Sequence, residues 1–556
     1  MAYNPQRLKK AFYSFSEIFK RQTGFGTPLA DADLDTRHNC TVEFEDVVET
    51  ETIYDCSDED IFDEEVLSQL KRVTITYSTI TPQILFGWIA GLLGAVTAPT
   101  GNSANEVQTL TRNGTVSSGD FDLELEFEGK TFTADDIPYN STQSQIESAL
   151  IAAGFNPGDV TVESGVQQIE TLTIGGTANE SEDLEFVVTA DGMPNSPKTL
   201  QVAIADTDTA AIAAGKARAA MIADPDIGHP TTGFFEISGA AADVVFTAKT
   251  AAANDGTMAI TYENAHGMTG GTSANTQAGV AINDWSGGMR LNFDGTYAKT
   301  EMPLFNVNSA GITGGGTVEI AETVKGGNNY HAATRSTDDK LPKFCMGSGY
   351  EGNTTNPKKY RDLVVESVST VGNRRGNVTA TVVLLGRFTP ASMAAYDIPD
   401  CANLPALKGR DCKIKVNGVY LHEEFWSGTA TFSNATPTGE DAFPFDDIEV
   451  GDLERGDRPT YPIGLQILGS EGDTIGEICR LRQKVPVEFH YGKPGNRASV
   501  ILPNVQFKFA SNPRTFVGER NRSAHNIDAV PHKDAVLKTP LRAEAYLDQA
   551  TAFLST

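Results

Sequence analysis

The residues able to do chemistry are few, and their spacing suits none of the common reactions. His422-Glu423-Glu424 sets an imidazole beside two carboxylates. A zinc protease helix needs His-Glu-x-x-His, which puts two imidazoles on one face with the Glu as base. The second His is missing here, and the surrounding residues read as a strand. Gly347-Ser348-Gly349 holds a hydroxyl between two glycines but lacks the spacing of a nucleophile elbow. No Gly-rich loop ends in Gly-Lys-Ser/Thr, which removes the phosphate cradle of the P-loop NTPases. Asp446, Asp447, Glu449, Asp452, Glu454 and Asp457 cluster without matching a calcium loop. The cysteines (Cys40, Cys56, Cys345, Cys401, Cys412 and Cys479) include no Cys-x-x-Cys pair, so buried free thiols are expected over zinc or disulfides. The histidines are scattered. The expectation is a protein that is not an enzyme, with no catalytic, cofactor-binding or metal-ligating set.

Function must then lie in architecture. The chain has 556 residues and a formal net charge of −29, which argues against a nucleic-acid binder, since that needs basic patches to neutralise phosphates. It suits a surface that a polyanion passes without sticking. Gly is abundant at 52 residues, a sign of many turns and short strands. The stretch 1–26 is basic but lacks the apolar core and cleavage site of a signal peptide. The one long apolar run, 84–98, is too short for a membrane span and reads as a buried helix between Pro82 and Pro99.

The stretch with the strongest pattern is 360–388. Two β-branched runs, 363–371 and 377–385, flank the turn Gly372-Asn373-Arg374-Arg375-Gly376. Val378, Ala380, Val382 and Leu384 share one face; Thr379, Thr381, Val383 and Leu385 share the other. A strand apolar on both faces must be covered on both, and a neighbouring subunit is the expected cover. Upstream, 5–21 reads as an amphipathic helix with Leu8, Phe12, Phe15, Ile18 and Phe19 at helical spacing. Strands are expected at 42–48 and 73–79, with an acidic loop, 49–65, between them.

Composition shifts near residue 102, and 111–282 holds 24 acidic against 6 basic residues. Two similar units follow. The first has strands 121–127, 130–133 and 160–163 around a helix at 141–153. The second has strands 184–190, 198–204, 233–237 and 243–248 around a helix at 207–223. The endings His266-Gly-Met-Thr-Gly-Gly-Thr272 and Gly311-Ile-Thr-Gly-Gly-Gly-Thr317 resemble one another. The second ending follows a fresh strand, 289–293. The economical order is nesting: a module at 167–282 inside a module at 110–166 plus 283–327, itself inside a core of 1–109 plus 328–556. After 331 come an Asn417-Gly418 hairpin, strands 463–468, 485–491, 501–509 and 541–546, a short helix at 475–482, and a basic polar loop, 512–538.

The lead-in TGFGTPLADADLDTR, the segment GSGYEGNTTNPKKYRDLVVESVSTVGNRRG and the late segment ASNPRTFVGERNRS resemble major tail tube proteins of long-tailed bacteriophages. The resemblance covers 1–105 and 330–556. It implies a mainly β (α+β) fold: a β-sandwich or barrel core with flanking helices, here interrupted by two nested α+β or Ig-like decoration modules. It further implies hexameric rings whose inner strands join into one barrel. Stacked rings form a tube that conducts DNA during ejection, and the inserts project outward. Bulky inserts favour a non-contractile tail. The implied partners are further copies of the chain, the tail tip and tail terminator proteins, and, in the lumen, the tape measure protein and viral DNA without sequence-specific binding. No membrane insertion and no cofactor are implied. Assembly in the bacterial cytoplasm and residence in the virion tail follow. Expected subunit-contact residues are Phe12, Phe15 and Phe19, then Arg374 and Arg375, then Arg514, Arg520 and Arg522. The competing reading is an adhesin whose β-rich domains recognise host cell-surface glycans; the inserts could also touch the host surface weakly on a tube.

Overall fold

A computed structural model describes residues 11–555 except 17, 35, 39, 55–60, 102, 264, 338–339, 351–352, 374–375, 394–406, 422–424, 438–452, 457–458, 518–521 and 535–538. The chain is mainly β with antiparallel sheets. Its helices among the described residues are α1 (Pro82–Leu93), α2 (Gln143–Ala152), α3 (Ala210–Ala223) and α4 (Gly469–Leu481). It divides into two compact units: Met1–Ala104, Thr296–Glu301 and Gly326–Thr556 form unit 1, and Asn105–Gly295 and Met302–Lys325 form unit 2.

The strands of unit 1 join into one connected 18-stranded antiparallel sheet that runs in two parts around one core. The first part runs Thr41–Tyr54, Ile61–Tyr77, Thr379–Gly386, Asn353–Asn373, Phe425–Ser433, Ile463–Leu468, Arg522–Pro531. It ends on Asn496–Val517, whose first half passes into the second part. There it lies between Lys484–Lys493 and Arg542–Leu547. Asn329–Arg335 and Gly94–Val96 extend one side, and Cys412–Val416 with Val419–Leu421 the other. The last two strands meet at Asn417 (φ 50°) and Gly418 (φ 83°), the left-handed pair a two-residue hairpin turn needs. Thr370 Oγ1 and Tyr491 Oη meet across the layers at 3.0 Å.

Helix α1 fills the core between them. Thr81 accepts the Ile84 N–H at 3.3 Å, Pro82 takes the first turn, and Gly94 closes the end at φ 94°. The helix therefore stops at Leu93, and the rest of the apolar run pairs as a strand; the expected end at Pro99 is too late. Nearly every residue of α1 is buried, and Trp88 Nε1 donates to Tyr77 Oη at 3.0 Å.

The helix expected at 5–21 is corrected. Ala11–Phe15 is a strand on the edge of Phe344–Tyr350, with Ser14 opposite Gly347, and Thr36–His38 pairs beyond it. Aromatic residues fit a pleat, and an edge of unpaired N–H and C=O groups attracts a strand over a free helix. The chain then turns, with Phe19 at φ 52° and its N–H on Ser16 O.

Two expected loops are also hairpin arms. Of the acidic stretch, 49–54 and 61–65 continue both strands of the Thr41–Tyr54/Ile61–Tyr77 hairpin, paired out to Tyr54 opposite Ile61, and 55–60 lie outside the described residues. Of the basic stretch, 512–517 and 522–531 belong to the hairpin of Asn496–Val517 and Arg522–Pro531, with Val517 opposite Arg522, and 518–521 and 535–538 lie outside the described residues. Charge marked these stretches as polar; cross-strand hydrogen bonds do not depend on side-chain polarity.

In the hairpin at 363–385, Val378, Ala380, Val382 and Leu384 are buried in the core of unit 1. On the other face Thr379, Thr381 and Val383 are half-buried, and Leu385 is covered by Leu70, Leu341, Val364 and Leu453 of this same chain. That end of the second face needs no neighbour.

Unit 2 holds two modules. One has the sheet Thr317–Val324, Val107–Asn113, Met289–Phe293, Val160–Ser164, and the sheet Asn306–Asn308, Asp120–Phe127, Lys130–Pro138. The other has Ala274–Gln277, Ile169–Thr173, Asp243–Ala248, Phe235–Ser238, and Ala259–Tyr262, Asp183–Thr189, Lys198–Ala203. Helix α2 starts with a capping box of Thr142 and Gln145 and buries Ile146 and Leu150. Helix α3 buries Ala213, Ala214, Ala217 and Met221 against its sheets, and the three small alanines leave room for close approach.

Candidate assembly surface

The surface of unit 1 with most consequence is an edge. Thr41–Tyr54 is a 14-residue strand, long enough to span roughly 45 Å. It pairs on one side with Ile61–Tyr77, and among the described residues no strand pairs with its outer side. Val42 and Phe44 pack on the main core, while Val47 packs on the Leu70–Leu385 cluster. Glu43, Glu45, Asp46, Val48, Glu49 and Thr50 are exposed. Across the pair, Arg72 meets Glu45 at 3.0 Å, Lys71 meets Asp46, and Ser68 donates to Glu49 at 3.3 Å. Burial, with Lys358 nearby, lowers the Lys71 pKa. Arg72 and Lys71 stand directly opposite Glu45 and Asp46 in the strand pairing.

The hairpin of Asn496–Val517 and Arg522–Pro531 has the opposite character. Arg514 stands opposite His525, and Arg522 opposite Val517. Arg520 lies outside the described residues, as do Arg374 and Arg375. Phe12 is on the Ala11–Phe15 strand. Phe15 and Phe19 are 3% exposed and form edge-on contacts with Trp88 at 5.2 and 4.8 Å. These two rings belong to the core of their own unit and are not available as a docking arm. Arg514 and Arg522 are the two expected residues that the fold brings to one element.

A polar cluster absent from the sequence reading pins the lead-in to the long Asn353–Asn373 strand. Asp362 Oδ1 accepts from Gln22 Nε2 at 2.9 Å and from the Gly26 N–H at 2.8 Å, and the Asp362 N–H donates to Gln22 Oε1 at 2.7 Å. Cys345 Sγ donates to Gln22 Oε1 at 3.2 Å and accepts from the Leu29 N–H at 3.3 Å. Lys359 Nζ donates to Leu29 O at 2.7 Å and pairs with Asp31. Gly26, Leu29, Asp31, Lys359 and Asp362 fall within two of the segments that carry the tail-tube resemblance, and Gln22 and Cys345 lie just before them. One signal was available: Gln22 and Asp362 are polar residues beside Gly, Phe and Leu.

The four described cysteines, Cys40, Cys345, Cys412 and Cys479, are free. Burial pushes the Cys345 thiol up to about 12 and Cys479 up to about 11, which keeps both protonated and unreactive at neutral pH. Among the described residues no group of His, Cys, Asp and Glu could hold a metal ion, and no helix is long and apolar enough to cross a membrane.

Fold and surface together define a mainly β protein with one long, acidic sheet edge. No protein-family model matches the chain, and no curated protein matches it. Among solved structures it is similar to the flagellar cap protein FliD from Helicobacter pylori at 9% identity, over 43% of this chain and 91% of that one, with a TM-score of 0.16. A likeness so slight carries no argument.

Proposed function

We propose that the chain is a structural virion protein: a tail tube subunit of a long-tailed bacteriophage that assembles into stacked hexameric rings and conducts DNA. The observation that carries this reading is the outer edge of Thr41–Tyr54. A long strand edge left open is a template for another chain, and proteins that stay monomeric blunt such edges. Closure of several copies into a ring removes every edge. The acidic edge and the hairpin whose strands carry Arg514 and Arg522 are opposite in charge by sequence, and opposite-charge pairs between copies would each contribute roughly 0.2–1 kcal/mol, repeated around a ring. The net charge of −29 suits a conduit for a polyanion. The tail-tube resemblance supplies the kind of polymer.

Negative-stain electron microscopy of the purified chain, alone and with tail-tip complex, tests the proposal. Rings or tubes of constant width with lateral bumps are expected. Excision of 105–326, which removes unit 2 together with the short unit 1 segment Thr296–Glu301, is expected to leave a smooth tube, since the flanks Ala104 and Gly327 already exchange hydrogen bonds at 3.0 and 2.9 Å. Monodisperse monomers in every condition would overturn the reading in favour of a binding module.

A further inference from the structure

The two modules of unit 2 repeat one another down to single side chains. The central strands read Val107-Gln-Thr-Leu-Thr111 and Ile169-Glu-Thr-Leu-Thr173. Thr109 Oγ1 lies 3.0 Å from Thr323 Oγ1, and Thr171 Oγ1 lies 3.1 Å from Thr276 Oγ1. Thr323 donates to Val107 O at 3.1 Å, and Thr276 donates to Ile169 O at 3.2 Å. In both modules the strand pairing skips that threonine, a β-bulge at the same register. Each module also buries a glutamine–glutamate pair, in reversed order: Gln108 donates to Glu106 at 3.3 Å, and Gln168 to Glu170 at 3.4 Å.

The register shows where the modules differ. Leu291 sits between Gln108 and Val162, and Phe246 sits between Glu170 and Ile237. Val162 is thus the counterpart of Ile237, and Met289 that of Val244. In the second module this hairpin closes directly through 239–242, with the Asp243 N–H on Ala240 O at 3.0 Å. In the first, the same hairpin tip carries the whole second module. The passenger leaves and returns on adjacent strands, because Val166 and Val280 exchange both backbone hydrogen bonds at 2.9 Å.

We propose that residues 239–242 are a second acceptor site, a position that carries and displays a folded domain whose ends lie one strand pair apart. Ser238, Gly239, Ala240 and Ala241 are exposed, and Ala241 holds φ 48°, a left-handed conformation that a β-carbon disfavours. Opening the turn between Ala240 and Ala241 relieves that conformation. It leaves in place the Ile174 N–H on Ala242 O at 2.9 Å, which ties the next strand to the sheet. Unit 2 is then an extensible stack, each module repeating the hairpin that accepts another.

The test uses the full chain. A second copy of residues 167–279 is inserted between Ala240 and Ala241, and the same copy is placed between Glu128 and Gly129 as a control, the turn of a hairpin in the first module that carries no passenger. A twelve-residue Gly/Ser loop goes into both positions as a passenger that needs no folding, since loop closure costs little. Calorimetric unfolding midpoints and soluble yield are read. At 240/241 both inserts are expected to leave the midpoint within about 3 °C of the parent, while the module at 128/129 lowers it by several times more. Equal behaviour of the module at the two positions overturns the assignment. So does loss of folding with the Gly/Ser loop at 240/241.

Discussion

Phe19 occupies the space beside Gly87 so closely that a β-carbon at residue 87 would stand 2.2 Å from Phe19 Cδ2. The ring turns edge-on to Trp88, and Gly91 receives Phe344 in the same way one turn on. Two glycines inside a helix weaken it, and here they serve close approach by rings on flanking segments.

Gly87→Ala is therefore expected to destabilise unit 1 by about 1–3 kcal/mol through overpacking, despite the ~1 kcal/mol helix preference of Ala over Gly. Urea unfolding of the full chain measures it. In the double variant with Phe19→Ala the clash disappears, so the Gly87→Ala effect should change sign. A stabilised single variant would show that the contact is not tight.

Stability should fall at alkaline pH. Burial raises the folded-state values of Cys345, to about 12, and Cys479, to about 11. A raised value means that folding favours the protonated thiol. Its contribution is complete below about pH 8.5, the unfolded thiol value, and is lost as pH rises toward 11–12. Tyr77, fully enclosed and raised chiefly by burial, adds to the loss above its unfolded value of about 10. Urea midpoints measured between about pH 7.5 and 10.5 check this, and Cys345→Ala should flatten the slope. A slope unchanged in that variant contradicts the burial of the thiol.

The sequence was most legible where one cause acts alone. The strands Met289–Phe293, Asp243–Ala248 and Ile463–Leu468 follow from alternation, and α1 from an apolar run with Thr81, Pro82 and Gly94 as punctuation. Legibility failed where tertiary pairing overrode local pattern. Leu8, Phe12, Phe15 and Phe19 have helical spacing, yet a strand edge at Phe344–Tyr350 takes 11–15. Charge hid the long hairpins, because Glu and Arg read as loop while their backbones pair. The Gln22–Asp362 contact joins residues 340 apart, and the sequence marks the two only as polar residues beside apolar ones, not as partners.

Gln108 and Gln168 each bridge a buried carboxylate to a return loop. Gln108 donates to Pro303 O at 2.8 Å and accepts from the Phe305 N–H at 3.1 Å; Gln168 donates to Asp255 O at 3.0 Å and accepts from the Asp255 N–H at 2.7 Å. Replacement of either by Leu strands a buried carbonyl, an N–H and part of a carboxylate, costing about 1–3 kcal/mol or more. The two losses should add in the double variant, since the pairs share no partner. Calorimetry of the three variants decides it, and a neutral single variant would mean that water reaches these groups.

The two charged hairpins yield the sharpest test of assembly. If copies of the chain meet through the acidic Thr41–Tyr54 edge and the basic Arg514/Arg522 hairpin, polymer formation must weaken as salt screens exposed charges, with a screening length falling from about 10 Å at 0.1 M to about 3 Å at 1 M. Arg514→Glu with Arg522→Glu should suppress tubes at low salt, and Glu43→Lys with Glu49→Lys should do the same. Reversing both sets together restores opposite signs across the contact and should recover tubes, whereas damage to folding would accumulate. Sedimentation and electron microscopy of the four proteins separate the outcomes. Failure of the combined reversal to recover any polymer, with folding intact by circular dichroism, would remove this charge pairing from the assembly while leaving the open strand edge to carry it.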